Sequence, residues 1–343
     1  MRALQLQAPG QMHIIRVPEP AAPRGDQVLL RIQRVGLCGT DLSSYRGKNA
    51  LFAYPRIPGH EIAATIEALG ETVGPEWHIG QPAAVMPQAN CGHCTACRAE
   101  RPNACRDNQT FGVQRDGGLV EYLIAPAHKL LAGDGLDAAT LALVEPFSIG
   151  FHAVSRGRIA AGERVAVLGS GGVGLGAVAA ALARGAEVLA VDVDPKKLRR
   201  CLEMGARHAV PAGEGAREKL LELTQGDGPE VVIEAAGRAD TYTLALEIAA
   251  FAGRVVCIGY APGQVQLEAR YFVQKELDWQ GARNALPEDF AGALQWLRAN
   301  RQRVPEIVTH TVTMEQAPEI LADWSQTPEA FGKIQVEIGD TQV

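Results

Sequence analysis

Four cysteines, Cys91, Cys94, Cys97 and Cys105, stand in the pattern C-x2-C-x2-C-x7-C. Four thiolates on one compact loop are the ligand set of a tetrahedral structural zinc. The other readings of that spacing fit less well. A disulfide framework suits an oxidising compartment, yet the chain carries an odd total of seven cysteines, and residues 1–30 hold no basic stretch followed by an apolar run. Both features point to a reducing, cytoplasmic setting. A ferredoxin-type iron–sulfur run closes with a three-residue gap and a proline, whereas here the gap is seven and Arg106 follows. A zinc module that reads nucleic acid needs a basic footprint, and the net charge is −6.

Two further sets of residues have chemical content. Gly169-Ser170-Gly171-Gly172-Val173-Gly174 is a GxGxxG directly after a strand-like run ending at Leu168 and at the start of an apolar helical stretch, Leu175 to Ala183. Gly169 would allow the tight turn, Gly171 would let the backbone approach a pyrophosphate, and Gly174 would let helix and sheet pack closely. Free N–H groups at the helix start, around Gly172 and Val173, would face the phosphates. Asp192 lies eighteen residues beyond Gly174, where a carboxylate accepts the adenosine ribose hydroxyls and repels a 2′-phosphate. That favours NAD, while Lys196, Lys197 and Arg199 leave room for some NADP use. The other set is Cys38, His60, Glu61 and Glu145. Taken singly, a Cys after an apolar strand is more often a small core residue, and His60-Glu61 is no zinc-protease helix because position 64 is Ala. Spacing alone leaves this set open.

The elements that must hold these groups divide the chain by texture. Residues 1 to about 145 read as short extended pieces broken by turns, such as Gln27 to Ile32, Ile62 to Ile66 and Gln81 to Val85, which suggests a β-barrel. From about 146, strand-like runs at 164–168, 187–191, 230–234 and 253–259 alternate with helical stretches, the mark of βαβ units and a doubly wound parallel sheet. A helix from Pro287 to Asn300 and a strand-like run from Lys333 to Ile338 close the chain. The expected division is 1–146, 147–285 and 286–343. At 343 residues, 47% apolar and 21% charged, the composition is that of a globular protein, and the apolar runs near 175–183 and 231–236 fall short of a membrane span.

Gly36-Leu37-Cys38-Gly39-Thr40-Asp41, Gly59-His60-Glu61, the four-Cys loop, Asp116-Gly117-Gly118 with Glu121-Tyr122, Glu145-Pro146-Phe147 and the GxGxxG with Asp192 occur in order over essentially the whole chain. In this the chain resembles the zinc-containing medium-chain dehydrogenase/reductase family of alcohol and polyol dehydrogenases. The resemblance implies an α/β plus β fold: a GroES-like β-barrel carrying catalytic zinc, a Rossmann domain, a C-terminal segment that rejoins the barrel, and an active-site cleft between the domains. It implies two Zn2+ per chain and NAD. Cys38 and His60 match the catalytic zinc ligands, completed by Glu61 or Glu145, and Asp41 would orient His60 through its other ring nitrogen. A carboxylate at 145 resembles the sorbitol dehydrogenase-like branch. Zinc would lower the pKa of a substrate hydroxyl, Thr40 would take its proton, and hydride would pass to the nicotinamide. Many relatives carry a relay His where this chain has Ser43, so the proton exit through Ser43, Ser44 or water stays open. The resemblance further implies a homodimer or homotetramer.

Within the family, Tyr45-Arg46-Gly47, Tyr54-Pro55-Arg56 and Arg283-Asn284-Ala285 look most like bacterial sugar-acid dehydrogenases, the L-galactonate dehydrogenases among them. A sugar acid needs a fixed cation, and an arginine grips a carboxylate with two parallel hydrogen bonds. Arg283 with Asn284 is the leading candidate, Arg46 and Arg56 are others, and Tyr45 and Phe52 are equally read as packing. The expected activity is oxidation of a sugar acid or polyol by NAD. Oxidation of a simple alcohol or an amino alcohol such as threonine is the alternative, and a non-catalytic nucleotide-binding regulator is a third reading.

Overall fold

The computed structural model describes residues 1–339. The chain forms two compact units, one from Met1–Glu145 together with the segment from Leu297 onward, the other from Pro146–Trp296. The first opens with an antiparallel hairpin of β1 (Arg2–Ala8) and β2 (Gln11–Arg16) that the sequence texture did not single out. It continues through β3 (Gln27–Leu37), β4 (Glu61–Leu69), β5 (Pro82–Val85), β6 (Tyr122–Pro126) and β7 (Leu130–Ala132). β3 is the organising strand. Val28, Leu30 and Ile32 point into the core with Arg31 exposed between them, the period-two pattern of a half-buried strand. A register shift between Ile32 and Arg34 in the β3–β4 ladder then re-phases the strand, so that Val35 is buried next.

The second unit contributes β8 (Arg164–Leu168), β9 (Glu187–Asp192), β10 (His208–Pro211), β11 (Val231–Glu234), β12 (Arg254–Cys257) and β13 (Asp278–Gly281). They form one parallel sheet in the order β10-β9-β8-β11-β12-β13. Continuous apolar runs such as Val165 to Leu168 are completely buried, as strands covered on both faces must be. The order reverses between β8 and β11, and the glycine loop leaves β8 at that switch point, where ligands bind in open α/β sheets.

The chain returns to the first unit at Leu297, later than the expected 286. The helix Pro287–Ala299 begins within the second unit because Asp289 accepts from His152 Nδ1 (2.7 Å) and Ser155 Oγ (3.2 Å). Trp296 also packs its ring on Phe147, 5.5 Å between centroids. Then β14 (Val308–Thr313), the helix Ala317–Gln326 and β15 (Lys333–Glu337) complete the first unit. β15 lies antiparallel to β3, pairing Ile334 with Leu37 and Gln335 with Gly36. One helical stretch, Ala138–Arg156, has the length and apolar composition of a membrane span, but 72% of that window is buried inside the protein, as in a core helix.

Candidate functional site

Cys38 is delivered by the end of β3 and serves as N-cap of the helix Gly39–Tyr45. Its Sγ accepts from Thr40 N at 3.1 Å, and Asp41 Oδ2 accepts from Cys38 N at 2.9 Å, a reciprocal capping box. The β3–β4 register sets Gly36 opposite Glu61, so His60 enters β4 beside Cys38. The result is a Cys38 Sγ–His60 Nε2 separation of 3.0 Å. One ligand atom from each of Cys38, His60 and Glu61 lies within 4.8 Å of the others. A Cβ on Gly36 would fall inside the Glu61 carboxylate, so glycine is required there to let that side chain sit against the strand.

The cluster is buried: His60 is 6% exposed and Glu61 0%. Glu61 pairs with the ammonium of Lys333, at the start of β15. Lys333 also donates to Leu37 O at 3.1 Å. His60 Nδ1 lies 3.9 Å from Asp41 Oδ1, too far for a hydrogen bond, so Asp41 faces His60 as a charge and not as the direct acceptor expected. Burial pushes the His60 imidazole towards its neutral form, but the Cys38 and Asp41 charges, the hydrogen bond with Cys38 and Glu145 outweigh it, and its pKa stands well above the ordinary value. Glu145, in the helix Val144–Arg156, is pushed up to about 7 by burial and by Glu61 and Asp41, against the pull of His60 and Lys333. It is within electrostatic reach of the cluster but outside the 4.8 Å ligand group.

This chemistry fits a dication. A thiol, an imidazole and a carboxylate converge where His60 Nδ1, Asp41 Oδ1 and Glu61 Oε1 are buried without hydrogen-bond partners. Such atoms are costly to bury unless charge answers them, and sulfur with nitrogen and one carboxylate is a zinc-type donor set. Thr40 is half-buried beside it and engages its hydroxyl with no described residue. Ser44 is committed elsewhere, donating to Thr40 O at 2.8 Å and accepting from Asn49 Nδ2 at 3.0 Å.

The tetrad is brought together as its spacing implied. The short helix Thr95–Arg98 and the turn Pro102–Ala104 fold Cys91, Cys94, Cys97 and Cys105 into one group. Cys94 Sγ is 3.5 Å from Cys97 Sγ and 3.9 Å from Cys105 Sγ, and no cysteine is disulfide-bonded. Backbone N–H groups point at the sulfurs, Cys91 N to Cys105 Sγ (3.3 Å) and Cys94 N to Cys91 Sγ (3.4 Å). Donors of this kind, from Arg106 and Cys97, bring the Cys94 thiol down to about 6, so the thiolate that a metal needs is favoured.

In the second unit, Gly169 turns with φ +95° and lies against Ala236, where a Cβ would be 2.9 Å from Ala236 N. Gly171 has open space around it and caps the helix Gly172–Ala183, leaving the first-turn N–H groups of Gly172, Val173 and Gly174 unmatched within the helix. Gly174 is packed on Gly169 O, where a side chain could not fit. Asp192 ends β9 and accepts from Ser170 N (2.7 Å) and Asp194 N (2.9 Å), which ties the phosphate loop to the strand end. Each oxygen keeps a lone pair for a ribose hydroxyl. Lys197 is half-exposed on the helix Pro195–Met204. Arg283 and Asn284, both partly buried, follow β13, with Asn284 in the left-handed region at φ +51°.

Arg46 and Arg56 make contacts within the first unit. Arg46 Nε donates to Ser325 Oγ at 3.1 Å, and Arg56 lies 3.6 Å from Asp116. Tyr45 donates its hydroxyl to Gly10 O (3.2 Å), and Phe52 is a core residue stacked edge-on against Tyr54. Lys333 was missed altogether. Nothing local marks it, since its role depends on the strand register that carries β15 to β3.

Residues 24–134 match the family described as the alcohol dehydrogenase GroES-like domain, and residues 172–299 match zinc-binding dehydrogenase. The chain is 36% identical to L-galactonate-5-dehydrogenase of Escherichia coli K12 over 90% of this chain and 91% of that protein. A solved alcohol dehydrogenase, RspB of Escherichia coli CFT073, complexed with NADH, superposes with a TM-score of 0.87 at 27% identity, covering 98% of this chain and 99% of that one. A zinc-binding dehydrogenase from Sinorhizobium meliloti 1021 bound to NADP does so with a TM-score of 0.87 at 29% identity, over 98% of each chain. The chain belongs to the zinc-type medium-chain dehydrogenase family. It is an oxidoreductase of the alcohol and polyol dehydrogenase kind, acting on a small molecule.

Proposed function

We propose that this protein oxidises a secondary hydroxyl of a sugar acid of the aldonate class, or of a related polyol, with NAD as hydride acceptor. The observation that carries the reading is the buried Cys38–His60–Glu61 cluster with its unanswered polar atoms, in a chain that shares 36% identity with a sugar-acid dehydrogenase. Cys38 Sγ, His60 Nε2 and the Glu61 carboxylate would hold the catalytic zinc, with Glu145 beside it. The tetrad would hold a second, structural zinc. Zinc bound at Cys38–His60–Glu61 supplies Lewis acidity towards a substrate hydroxyl. Thr40 Oγ1, uncommitted, would relay the proton leaving that hydroxyl, accepting it while its own hydroxyl proton passes on toward the ribose and solvent. The first-turn N–H groups of Gly172 to Gly174 receive the pyrophosphate, and Asp192 receives the ribose and disfavours a 2′-phosphate. Arg283 with Asn284 is the candidate grip for a substrate carboxylate.

β13 is the outer strand of its sheet, and exposed Phe251, Tyr260 and Val273 belong to the same unit. An open edge favours covering by a second copy, which supports a homodimer or homotetramer. The tetrad thiols must stay reduced to bind metal, which supports a cytoplasmic protein.

The test is NADH or NADPH formation with a panel of aldonates, polyols, simple alcohols and threonine, before and after metal chelation. Chelator-sensitive turnover of an aldonate with NAD is the expected result. Turnover of simple alcohols or threonine alone would overturn the substrate class, and turnover that survives removal of all zinc would overturn the mechanism.

A further inference from the structure

The Glu61–Lys333 pair has a property that metal ligation by itself does not require. Lys333 is 7% exposed and Glu61 0%. The ammonium reaches Glu61 across the end of β3, anchored to Leu37 O, because β3 pairs with β4 on one side and β15 on the other. The Glu61 carboxylate lies directly over Gly36, in space that any side chain at that position would fill. The same carboxylate places an oxygen within 4.8 Å of Cys38 Sγ and the His60 ring nitrogen. One carboxylate therefore lies between two positive partners, a fixed ammonium and the site of a dication. Removing one member of a buried pair leaves a costly uncompensated charge, so each positive partner substitutes for the other.

We propose that Lys333 is a positioning residue that stands in for the metal. It neutralises Glu61 when the cluster is metal-free, and it competes with a bound cation for the same carboxylate, so that the cation is held less tightly and exchanges faster than these ligands alone would allow. The inference rests on the zinc reading above and concerns what tunes that site.

The experiment compares wild type with Lys333→Met and Lys333→Arg as full-length, zinc-loaded chains. Zinc release to a chromophoric chelator is followed, and thermal melting is recorded before and after stripping. Lys333→Met is expected to release the Cys38-site zinc at least tenfold more slowly than wild type, while Lys333→Arg, which keeps the charge, stays within about threefold. Stripped Lys333→Met is expected to melt well below stripped wild type, with the zinc-loaded proteins close together. Release from Lys333→Met at the wild-type rate, or stripped proteins that melt together, overturns the proposal. If Lys333→Met does not fold, Glu61→Gln/Lys333→Met removes both charges and is expected to fold, and its failure to fold would overturn the proposal in favour of a purely structural lysine. A wild-type chain that binds zinc only at the tetrad would instead defeat the zinc reading itself, a result visible before any variant is made.

Discussion

Two buried carboxylates in this chain are answered in different ways, and each answer makes a separate expectation. Asp192 is answered by backbone N–H groups at Ser170 and Asp194, and it is the one proposed to meet the dinucleotide. Asp192→Asn is expected to lower the kcat/KM preference for NAD over NADP by about tenfold, about 1.4 kcal/mol, by removing the charge that repels a 2′-phosphate. An unchanged ratio in parallel assays would count against its role. Glu234 is completely buried at the end of β11. Its Oε1 accepts from Ala236 N (3.0 Å), Gly237 N (2.8 Å) and Thr241 Oγ1 (2.8 Å), while Oε2 has no partner. Burial raises its pKa above the ordinary carboxyl value in spite of those donors. A raised folded pKa contributes stability that is present below the unfolded pKa of about 4.3 and lost as pH rises through the folded value. Glu234→Gln keeps the acceptor and loses the ionisation, so its melting temperature is expected to gain on wild type as pH goes from about 5 to about 8. A variant melting temperature that stays level with or falls relative to wild type over that range would refute this. Asp192 was legible in the sequence because a strand-end acid after a glycine loop has one common use. Glu234 was not, because only the tertiary closure over Gly259 removes its second oxygen from water.

At the scale of elements, two glycines that look unfavourable for helices prove necessary. Gly150, in Val144–Arg156, lies on the backbone of Gly176 and Ala177, and a Cβ there would overlap Ala177 N. Gly176, in Gly172–Ala183, meets Phe147 in the same way, with a Cβ 2.7 Å from Phe147 Cα. The contacts are with backbone, which cannot rotate aside, so the two helices cross at a distance only glycine allows. Gly150→Ala should raise helix propensity by about 1 kcal/mol yet destabilise the protein by roughly 2–3 kcal/mol in denaturant unfolding, because the crossing must open. A neutral or stabilising result would mean the helices can separate cheaply. The parallel strands of the second unit were readable because strands buried on both faces are continuous apolar runs, as at Val165 to Leu168. β10, with the sequence His208-Ala209-Val210-Pro211, was not, since it is an edge strand with one fully buried residue. In the first unit the barrel-like texture was visible, but the bulge in β3 was not. A register shift changes which residues pair without changing composition, and that register brings Gly36, Glu61 and Lys333 together.

At the scale of the molecule, the question is how much of the first unit depends on chain that arrives last. Change of texture near residue 146 revealed the two-part division, but the return at Leu297 rests on Asp289 and Trp296 contacts that no periodicity announces. β15 gives Ile334, Val336 and the following Ile338 to the first core, all at most 2% exposed, and lies between β14 and β3 in the sheet. Burying three such side chains contributes on the order of 6 kcal/mol, comparable to the whole stability of many domains. Lys333 leaves with the same strand, so Glu61 would lose its counter-charge as well. A chain ended at Gly332 is therefore expected to lose hydrogen-exchange protection throughout β3 and β4, while β8, β9 and β11 keep theirs. By that loss of structure, which outweighs the removal of a competing ammonium, it is also expected to release the zinc proposed at Cys38, His60 and Glu61. Retained protection in β3 would mean that the strand is held by β4 and β6 alone. The Cys38–His60–Glu61 cluster would then owe its geometry to residues 27–69, with the returning segment setting only its charge.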